Sequence, residues 1–447
     1  MTNDIKDSIL QKCKTNDVRL ITLQFVDILG TPKSVTIPTE HLREALSGGI
    51  GFDGSSIQGF VRIYESDMVA MPDPSTFRIV PWRPKERREA RIICDVKRPG
   101  GEPFEGDPRY ILKKALKEAE NFGFIFNTGP ELEFFLFKTE DGYRVKNETH
   151  DTGGYFDYSP LDMASDIRRE ATFNLQEMGL DIEMVHHEVA PGQHEIDFKF
   201  SDALITADNV ITYKNTIKAT ALANGLYATF MPKPIFGENG SGMHVHQSLF
   251  NKETKKNAFF DPDDKYGLSD EAYYFIGGQM KHSRAMSAIL SPLVNSYKRL
   301  VPGYEAAVYI CWGRRNRSAL IRVPEYFPGM ENAVRTELRC PDPSCNPYLA
   351  FAVMLKAGLD GIKNKIKPPD PVEEDVYHFD DKKLAEFYIA TLPSSLKEAI
   401  DELEKSQLMK EALGEFTFNT YLNAKKKEWD EYRVRVTPWE LERYLKM

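Results

Sequence analysis

The segment GPELEFFLF, residues 129–137, alternates in a way that an extended strand satisfies. Successive side chains of a strand point to opposite faces, so Leu132, Phe134 and Leu136 share one face while Glu131, Glu133 and Phe135 share the other. Phe135 and Phe137 continue the face that carries the glutamates, which places paired carboxylates in an enclosed setting. The alternative is a surface strand whose polar positions meet water. Carboxylates crowded away from water require cations or protons, so a fold built on this strand has to bring one or the other to it.

A chain of 447 residues exceeds one ordinary hydrophobic core, and two domains, or one large domain with an appendage, follow. Its 41% apolar and 28% charged residues are those of a soluble globular protein. The 58 basic and 67 acidic side chains leave a net charge of −9, which argues against whole-surface attraction to nucleic acid or anionic lipid. The opening MTNDIKDSIL has no apolar core of a secretory leader, and no later stretch is long enough to span a bilayer. The expectation is a cytoplasmic protein that partners neither membrane nor nucleic acid. Cys13, Cys94, Cys311, Cys340 and Cys345 are odd in number and lack CxxC spacing, so reduced thiols are expected.

Within the first hundred residues, Ile21–Phe25 has period two, Gly30-Thr31-Pro32 breaks the chain, and Val35 and Ile37 continue a second strand. Arg91–Val96 adds another, so a small sheet is predicted. KRPGGEPFEGDPR reads as a linker, dividing the chain into residues 1–104 and 105–447. Asp166–Met178 carries Ile167, Ala171, Leu175 and Met178 at helical spacing and stops at Gly179. Ser395 and Glu398 form a capping-box pattern before Leu396, Ala399, Ile400 and Leu403, with Gly414 to end that helix. No internal repeat or low-complexity tract is present.

Further chemistry lies in three segments. HHEVAPGQHEIDF sets Glu188 and Glu195 on either side of a Pro191-Gly192 turn. His186, His187 and His194 keep a zinc site open there, whereas the abundance of carboxylates favours Mg²⁺ or Mn²⁺; a merely solvated hairpin is the third reading. In GENGSGMHVHQSLF, glycines precede a strand with His244, His246 and Ser248 on one face and Met243, Val245 and Leu249 on the other. Neither a Walker loop nor a Rossmann fingerprint is present. Seven arginines occupy Arg299 to Arg339, among them Arg315, Arg317, Arg322 and Arg335, interspersed with apolar residues. Guanidinium groups fork onto carboxylate and phosphate, so this run points to a small polyanionic substrate. A nucleic-acid patch is the competing reading. Glu337 and Arg339 alternate around Leu338. Acids for metal beside arginines for phosphate imply ATP chemistry.

The motifs FDGSSIQGF, GPELEFFLF, HHEVAPGQHEID, ENGSGMHVHQSL, NSYKRLVPGYEA, RNRSALIRVP and ELRCPDPSCNPYLAF resemble, in order and over essentially the whole chain, those of the type I glutamine synthetases of bacteria and archaea. The resemblance implies an α+β protein: a small N-terminal β-grasp-like domain, then a large catalytic domain with a curved antiparallel sheet and flanking helices. It implies ATP-dependent amidation of L-glutamate by ammonia through γ-glutamyl phosphate, with two to three Mg²⁺ or Mn²⁺ ions per site. Glu133, Glu188 and Glu195 would hold one ion, and Glu131, His244 and Glu337 a second. Glutamate would lie against Arg299, Glu305, Asn239, Gly240, His244 and Arg339, with Arg317 on the moving phosphoryl group. Asp53, Ser56, Tyr155 and Glu188 would form the ammonium pocket, Asp53 accepting the proton. ATP would meet Phe200, His246, Ser248, Arg322 and Arg335, and Asn332 stands where some relatives carry a lysine. In the family Asp53 is contributed by a neighbouring subunit, so a homododecamer of two hexameric rings is implied.

Tyr377, in DVYHFDD, occupies the place of a tyrosine to which AMP is attached in some relatives, but its surroundings differ and the subclass without that modification fits better. Arg62 matches a glutamine-sensing arginine. Arg87, within RPKERREAR, is a candidate for binding 2-oxoglutarate, against the simpler reading of a solvated surface. A small regulatory protein is a further expected partner. A γ-glutamyl ligase for another amine, or a catalytically dead relative, are the competing functions.

Overall fold

The computed structural model describes residues 3–57, 59, 67–142 and 144–447. Arg62 lies outside them. In the N-terminal part, among the described residues, six strands form one sheet: β1 (Val18–Val26), β2 (Pro32–Pro38), β3 (Ile50–Asp53), β4 (Asp67–Pro72), β5 (Arg78–Ile79) and β6 (Arg88–Lys97). The order is β2-β1-β6-β4-β3, with β5 also on β6. Ile21 and Leu23 are fully buried and stand opposite Ile37 and Val35 in an antiparallel hairpin, while β6 runs parallel to β1. The hairpin turn is tied by Asp27, whose Oδ1 accepts from Leu29 N at 3.0 Å and Thr31 N at 2.9 Å. The polar opening is a helix, Asn3–Thr15, that closes this core with Ile9 and Cys13, one turn apart.

The segment read as a linker is pinned rather than loose. Asp107 caps the helix Pro108–Asn121 by accepting from Arg109 N, and its other oxygen accepts from Val96 N at 2.9 Å. The buried guanidinium of Arg109 meets Asp73 at 2.8 Å and Asp95 at 2.7 Å on the N-terminal side, and Asp208 at 3.0 Å on the other. A buried cation needs its counter-charges held in place, and here those counter-charges come from both parts of the chain. Asn346 adds a second tie, donating to the carbonyls of Asp27 and Ile28 at 3.1 and 3.3 Å.

The remaining strands are β7 (Phe124–Glu140), β8 (Arg144–Thr149), β9 (Ile182–His187), β10 (Gln193–Phe198), β11 (Ser201–Asp202), β12 (Leu226–Thr229), β13 (Met243–Asn251), β14 (Tyr309–Gly313), β15 (Ala319–Arg322), β16 (Thr336–Leu338) and β17 (Ala390–Thr391). They form a sheet ordered β17-β14-β15-β16-β13-β7-β10-β9, with β8, β11 and β12 also on β7. Pairing is antiparallel except between β14 and β15. β7 is the organising strand. Leu132, Phe134 and Leu136 enter the main core, and Phe135 and Phe137 pack with Ala190 in a small cluster on the opposite face. The helices Ala203–Ala223, Asp270–Leu290 and Pro347–Asn364 contribute to the main core.

Two predicted helices differ in how closely they are realised. Ser165–Glu177 ends as expected: Gly179 has φ +96°, with Leu180 N bonded to Leu175 O and Gly179 N to Gln176 O. The helix expected from Ser395 to Gly414 is two. Ser395 accepts from Glu398 N, but the Glu398 carboxylate turns to Ser394 N and Arg284, so only half of the capping box forms. Leu396–Glu404 then stops, because Ser406 caps a new helix, Gln407–Leu413, by accepting from Met409 N. A serine that bonds its own neighbouring backbone competes with helix continuation.

Candidate active site

Strand register gathers the acids and imidazoles on the face of β7 opposite its core side. β10 sets Glu195 opposite Glu133, β13 sets His244 opposite Glu131, β16 sets Glu337 opposite His246, and β15 sets Arg322 opposite Glu337. Directly opposed residues share a face. Glu188 sits at the start of the tight turn to β10, where Glu188 N donates to Gln193 O at 2.8 Å. Gly192 holds φ +67° there, and a Cβ would lie 3.0 Å from Leu136 O and 2.8 Å from Thr149 Cβ, so only glycine fits.

The charges on this face fall into two groups. Glu131 accepts from His246 Nε2 at 2.8 Å, and Arg335 Nε donates to His246 Nδ1 at 3.0 Å, which leaves Nε2 as the protonated nitrogen. Glu337 is buried against Arg322 at 2.8 Å and against Arg339. Although burial opposes it, His246 and His244 hold Glu131 well below the usual carboxylate range, and Arg339 brings Glu337 down to about 2. The second group has no such balance. Burial pushes Glu133 up to about 7 in spite of Arg299; burial and Glu133 push Glu188 up to about 8; burial and Asp197 push Glu195 well above its ordinary value. Buried carboxylates that repel one another fit a hard divalent cation.

Ligand atoms of Glu131, His246 and Glu337 lie within 4.8 Å of one another, as do those of His186, Glu188 and Glu195. His244 Nδ1 stands 3.7 Å from Glu131 and 3.8 Å from Glu337. Glu133 is held by Gln193 Nε2 at 2.8 Å and Gly242 N at 2.9 Å. The three histidines behind the zinc reading separate: His186 faces Glu188 and Glu195, whereas His187 bonds Asp151 at 2.9 Å and Glu188 O at 2.7 Å, and His194 Nδ1 meets Arg168 at 2.9 Å.

A small cavity of about 30 Å³ is lined by Glu133, Glu188, Gln193, Asn239, Gly240, His244, Arg299, Tyr304, Glu305 and Arg339. Every residue expected around glutamate is among them; Gln193 and Tyr304 were not expected, although Gln193 stands inside the PGQHE turn. A larger cavity of about 340 Å³ adjoins Glu131 and is lined also by Phe200, His246, Ser248, Asn332, Arg335 and Asp197. Arg322 lies behind it on Glu337. Tyr155 stacks on Phe156 with ring centres 4.1 Å apart and lies beside Glu188 and Arg317. Asp53, at the end of β3, and Ser56, in the turn that follows, are exposed and line neither cavity. The arginines around Arg87 diverge: Arg83 pairs with Glu89 at 2.9 Å, Arg91 turns inward to Thr212 at 3.1 Å, and Arg87 is exposed.

A small cavity of facing acids and arginines lies beside a larger one edged by an aromatic ring and a guanidinium, an arrangement suited to a metal-dependent enzyme that acts on anionic substrates. Residues 105–444 match the family described as "Glutamine synthetase, catalytic domain" and residues 17–99 match "Glutamine synthetase, beta-Grasp domain". The chain belongs to the glutamine synthetase family. It is 58% identical over 442 residues to the glutamine synthetase of Methanosarcina mazei, covering 99% of this chain and 98% of the relative. It is 52% identical over 439 residues to that of Thermotoga maritima, covering 98% and 99%. The fold is similar to the Plasmodium falciparum glutamine synthetase at TM-score 0.87 and 28% identity, covering 99% of each chain, and to GmaS in its ADP complex at TM-score 0.88 and 31% identity, covering 98% and 99%. Family membership makes the chain a glutamate–ammonia ligase that uses ATP and a divalent metal.

Proposed function

We propose that the small cavity binds L-glutamate, that the larger one binds ATP, and that the acids between them hold two to three Mg²⁺ or Mn²⁺ ions. The observation that carries this reading is the convergence of Asn239, Gly240, His244, Arg299, Glu305 and Arg339 on one cavity beside the carboxylate face. Arg299 is buried and donates to the carbonyls of Cys340 at 2.9 Å and Pro341 at 3.2 Å, and Arg339 Nε donates to Arg317 O at 3.1 Å. Guanidinium groups fixed in this way bind carboxylate with little loss of side-chain freedom. Glu133, Glu188 and Glu195 would hold one ion and Glu131, His244 and Glu337 another; ions bound there supply charge neutralisation and alignment for phosphoryl transfer. Arg317 and Arg339 stabilise negative charge as the glutamate carboxylate takes the γ-phosphoryl group of ATP. Ammonia then displaces phosphate from γ-glutamyl phosphate. Phe200 stacks on the base, and His246, Ser248 and Arg335 flank the nucleotide, with Arg322 acting from behind Glu337.

Tyr155 and Glu188 form one side of the ammonium pocket. Asp53 and Ser56 belong to the other side, brought by a neighbouring subunit, with Asp53 accepting the proton. An assembly of two stacked six-membered rings accommodates this sharing and also covers the exposed apolar residues of the C-terminal segment, Val434, Val436, Trp439, Leu441 and Leu445. Residues 1–104 and 105–447 are the two working units, in a cytoplasmic enzyme.

The test is phosphate release from ATP with glutamate and ammonium, each omitted in turn and ammonium replaced by putrescine or ethanolamine. Turnover that needs both glutamate and ammonium is expected. Turnover independent of glutamate, or a preference for another amine, overturns the reading.

A further inference from the structure

We propose that the buried pair His187 and Asp151 positions the amine site: it sets the spacing between Tyr155 and Glu188 and so restricts their pocket to ammonium. This rests on the ammonium-pocket reading above. The two pocket residues come from different segments. Glu188 follows β9 at the turn into β10, whereas Tyr155 lies between β8 and the helix Ser165–Glu177. Residues 150–164 form neither strand nor helix, so side-chain bonds have to hold them in place.

The pair supplies those bonds. Both side chains are fully buried, and His187 Nε2 meets Asp151 Oδ1 at 2.9 Å. His187 Nδ1 lies 2.7 Å from the carbonyl oxygen of Glu188. A carbonyl and a carboxylate accept, so the ring donates at both nitrogens and ties the Glu188 backbone to Asp151. Asp151 extends the tie, accepting from Gly192 N at 2.9 Å with Oδ1 and from Met163 N at 3.2 Å with Oδ2. One carboxylate therefore joins the turn to both ends of the Tyr155 segment. Ligand atoms of Asp151, His187 and His194 lie within 4.8 Å of one another. Both nitrogens of His187 are engaged as donors, however, and His194 Nδ1 accepts from Arg168 at 2.9 Å, so the group is a tie and not a metal seat.

The Tyr155 side is fitted closely to this pair. Phe156 holds a left-handed φ of 59°, a conformation that a residue with a Cβ keeps only where its surroundings over-determine it. Phe156 N donates to His187 O at 3.1 Å, and its ring meets His186 edge-on with centres 4.9 Å apart. Tyr155 stacks on Phe156, so its place follows. Gly153 approaches the imidazole so closely that a Cβ would lie 2.9 Å from His187 Nε2. Ammonium and methylammonium differ by one methyl group, so a pocket separates them only as far as its walls keep their spacing.

Steady-state kinetics of the full-length enzyme with ammonium and with methylamine tests this. His187→Asn places an amide donor near the position of Nδ1, which keeps the bond to Glu188 O, but does not reach Asp151. The KM for ammonium and the methylamine-to-ammonium ratio of kcat/KM are each expected to rise about tenfold, with the KM values for ATP and glutamate within about twofold of wild type. Gly153→Ala pushes the Tyr155 segment off the ring with both partners intact; it is expected to move the same two quantities the same way, and it decides the matter if His187→Asn does not fold. A lower melting temperature with the ammonium KM and the amine ratio unchanged, or a parallel rise in all three KM values, overturns the proposal and leaves the pair a structural tie. Tyr155→Ala enzyme with an unchanged KM for ammonium would instead refute the pocket on which the proposal rests.

Discussion

At the scale of single residues, the unbalanced carboxylates decide behaviour. Glu188 sits among acids that burial and mutual repulsion push toward protonation. Above the ordinary carboxylate range, folding obliges Glu188 to take up a proton or keep a buried charge; Glu188→Gln removes that cost, so at neutral pH the metal-free protein is expected to melt at a higher temperature than wild type. The same change is expected to lower Mg²⁺ affinity and ligase activity by ~100-fold. Thermal melts with and without a chelator, alongside Mg²⁺ titration, check both directions; unchanged Mg²⁺ affinity would remove Glu188 from the ligand set. Tyr377 acts at a distance. Its hydroxyl donates to Ala306 O at 3.0 Å, next to Glu305, which holds a left-handed φ of 55°. Tyr377→Phe loses about 1 kcal/mol of hydrogen bonding and frees the Glu305 loop. A several-fold rise in the KM for glutamate, with the melting temperature nearly unchanged, is the expected kinetic result.

At the scale of elements, Asn346 joins two tasks. Its Oδ1 caps the helix Pro347–Asn364 while its Nδ2 holds the hairpin turn at Asp27 and Ile28. Asn346→Ala is expected to cost about 1–2 kcal/mol for the cap, and more for the lost tie to Ile28 O, whereas Asp27 O keeps its bond from Gly30 N. Chemical denaturation measures the sum, and hydrogen exchange at residues 27–31 should quicken relative to the rest of the N-terminal sheet. Elements with a strong local signal were legible in advance: the β7 alternation, the β1–β2 hairpin and the Gly179 helix end. The opening helix was not, because its inward residues are few and Ile9 and Cys13 become a face only when a sheet lies beneath them. The split at Ser406 was missed because the apolar spacing continues across it and only the side-chain cap interrupts the backbone.

At the scale of the whole molecule, the arrangement of Asp53 and Ser56 away from both cavities of their own chain sets the prediction. Asp53→Ala and Arg339→Ala enzymes are each expected to be inactive. Mixing them under conditions that exchange subunits should restore activity, since sites made from one intact N-terminal unit and one intact catalytic unit then form. No recovery despite exchange, shown by mass measurement, would mean that Asp53 serves its own chain. The exposed apolar C-terminal segment leads to a second outcome: Leu441→Asp with Leu445→Asp should lower the mass of the assembly without unfolding the subunit, read by light scattering and circular dichroism.

The sequence by itself determined the family and with it the chemistry, and it singled out the residues read here as the site, because residue type, alternation and motif order are local properties. Glu131 and Glu133 share a face whatever surrounds them, and an arginine between apolar residues announces an anion. Which acid lies against which base was decided only by tertiary structure. Strand register paired Glu337 with His246 and Glu195 with Glu133, and burial then separated a balanced group from an unbalanced one. Electrostatics in a protein depends on distance and exposure, and neither quantity is written along the chain.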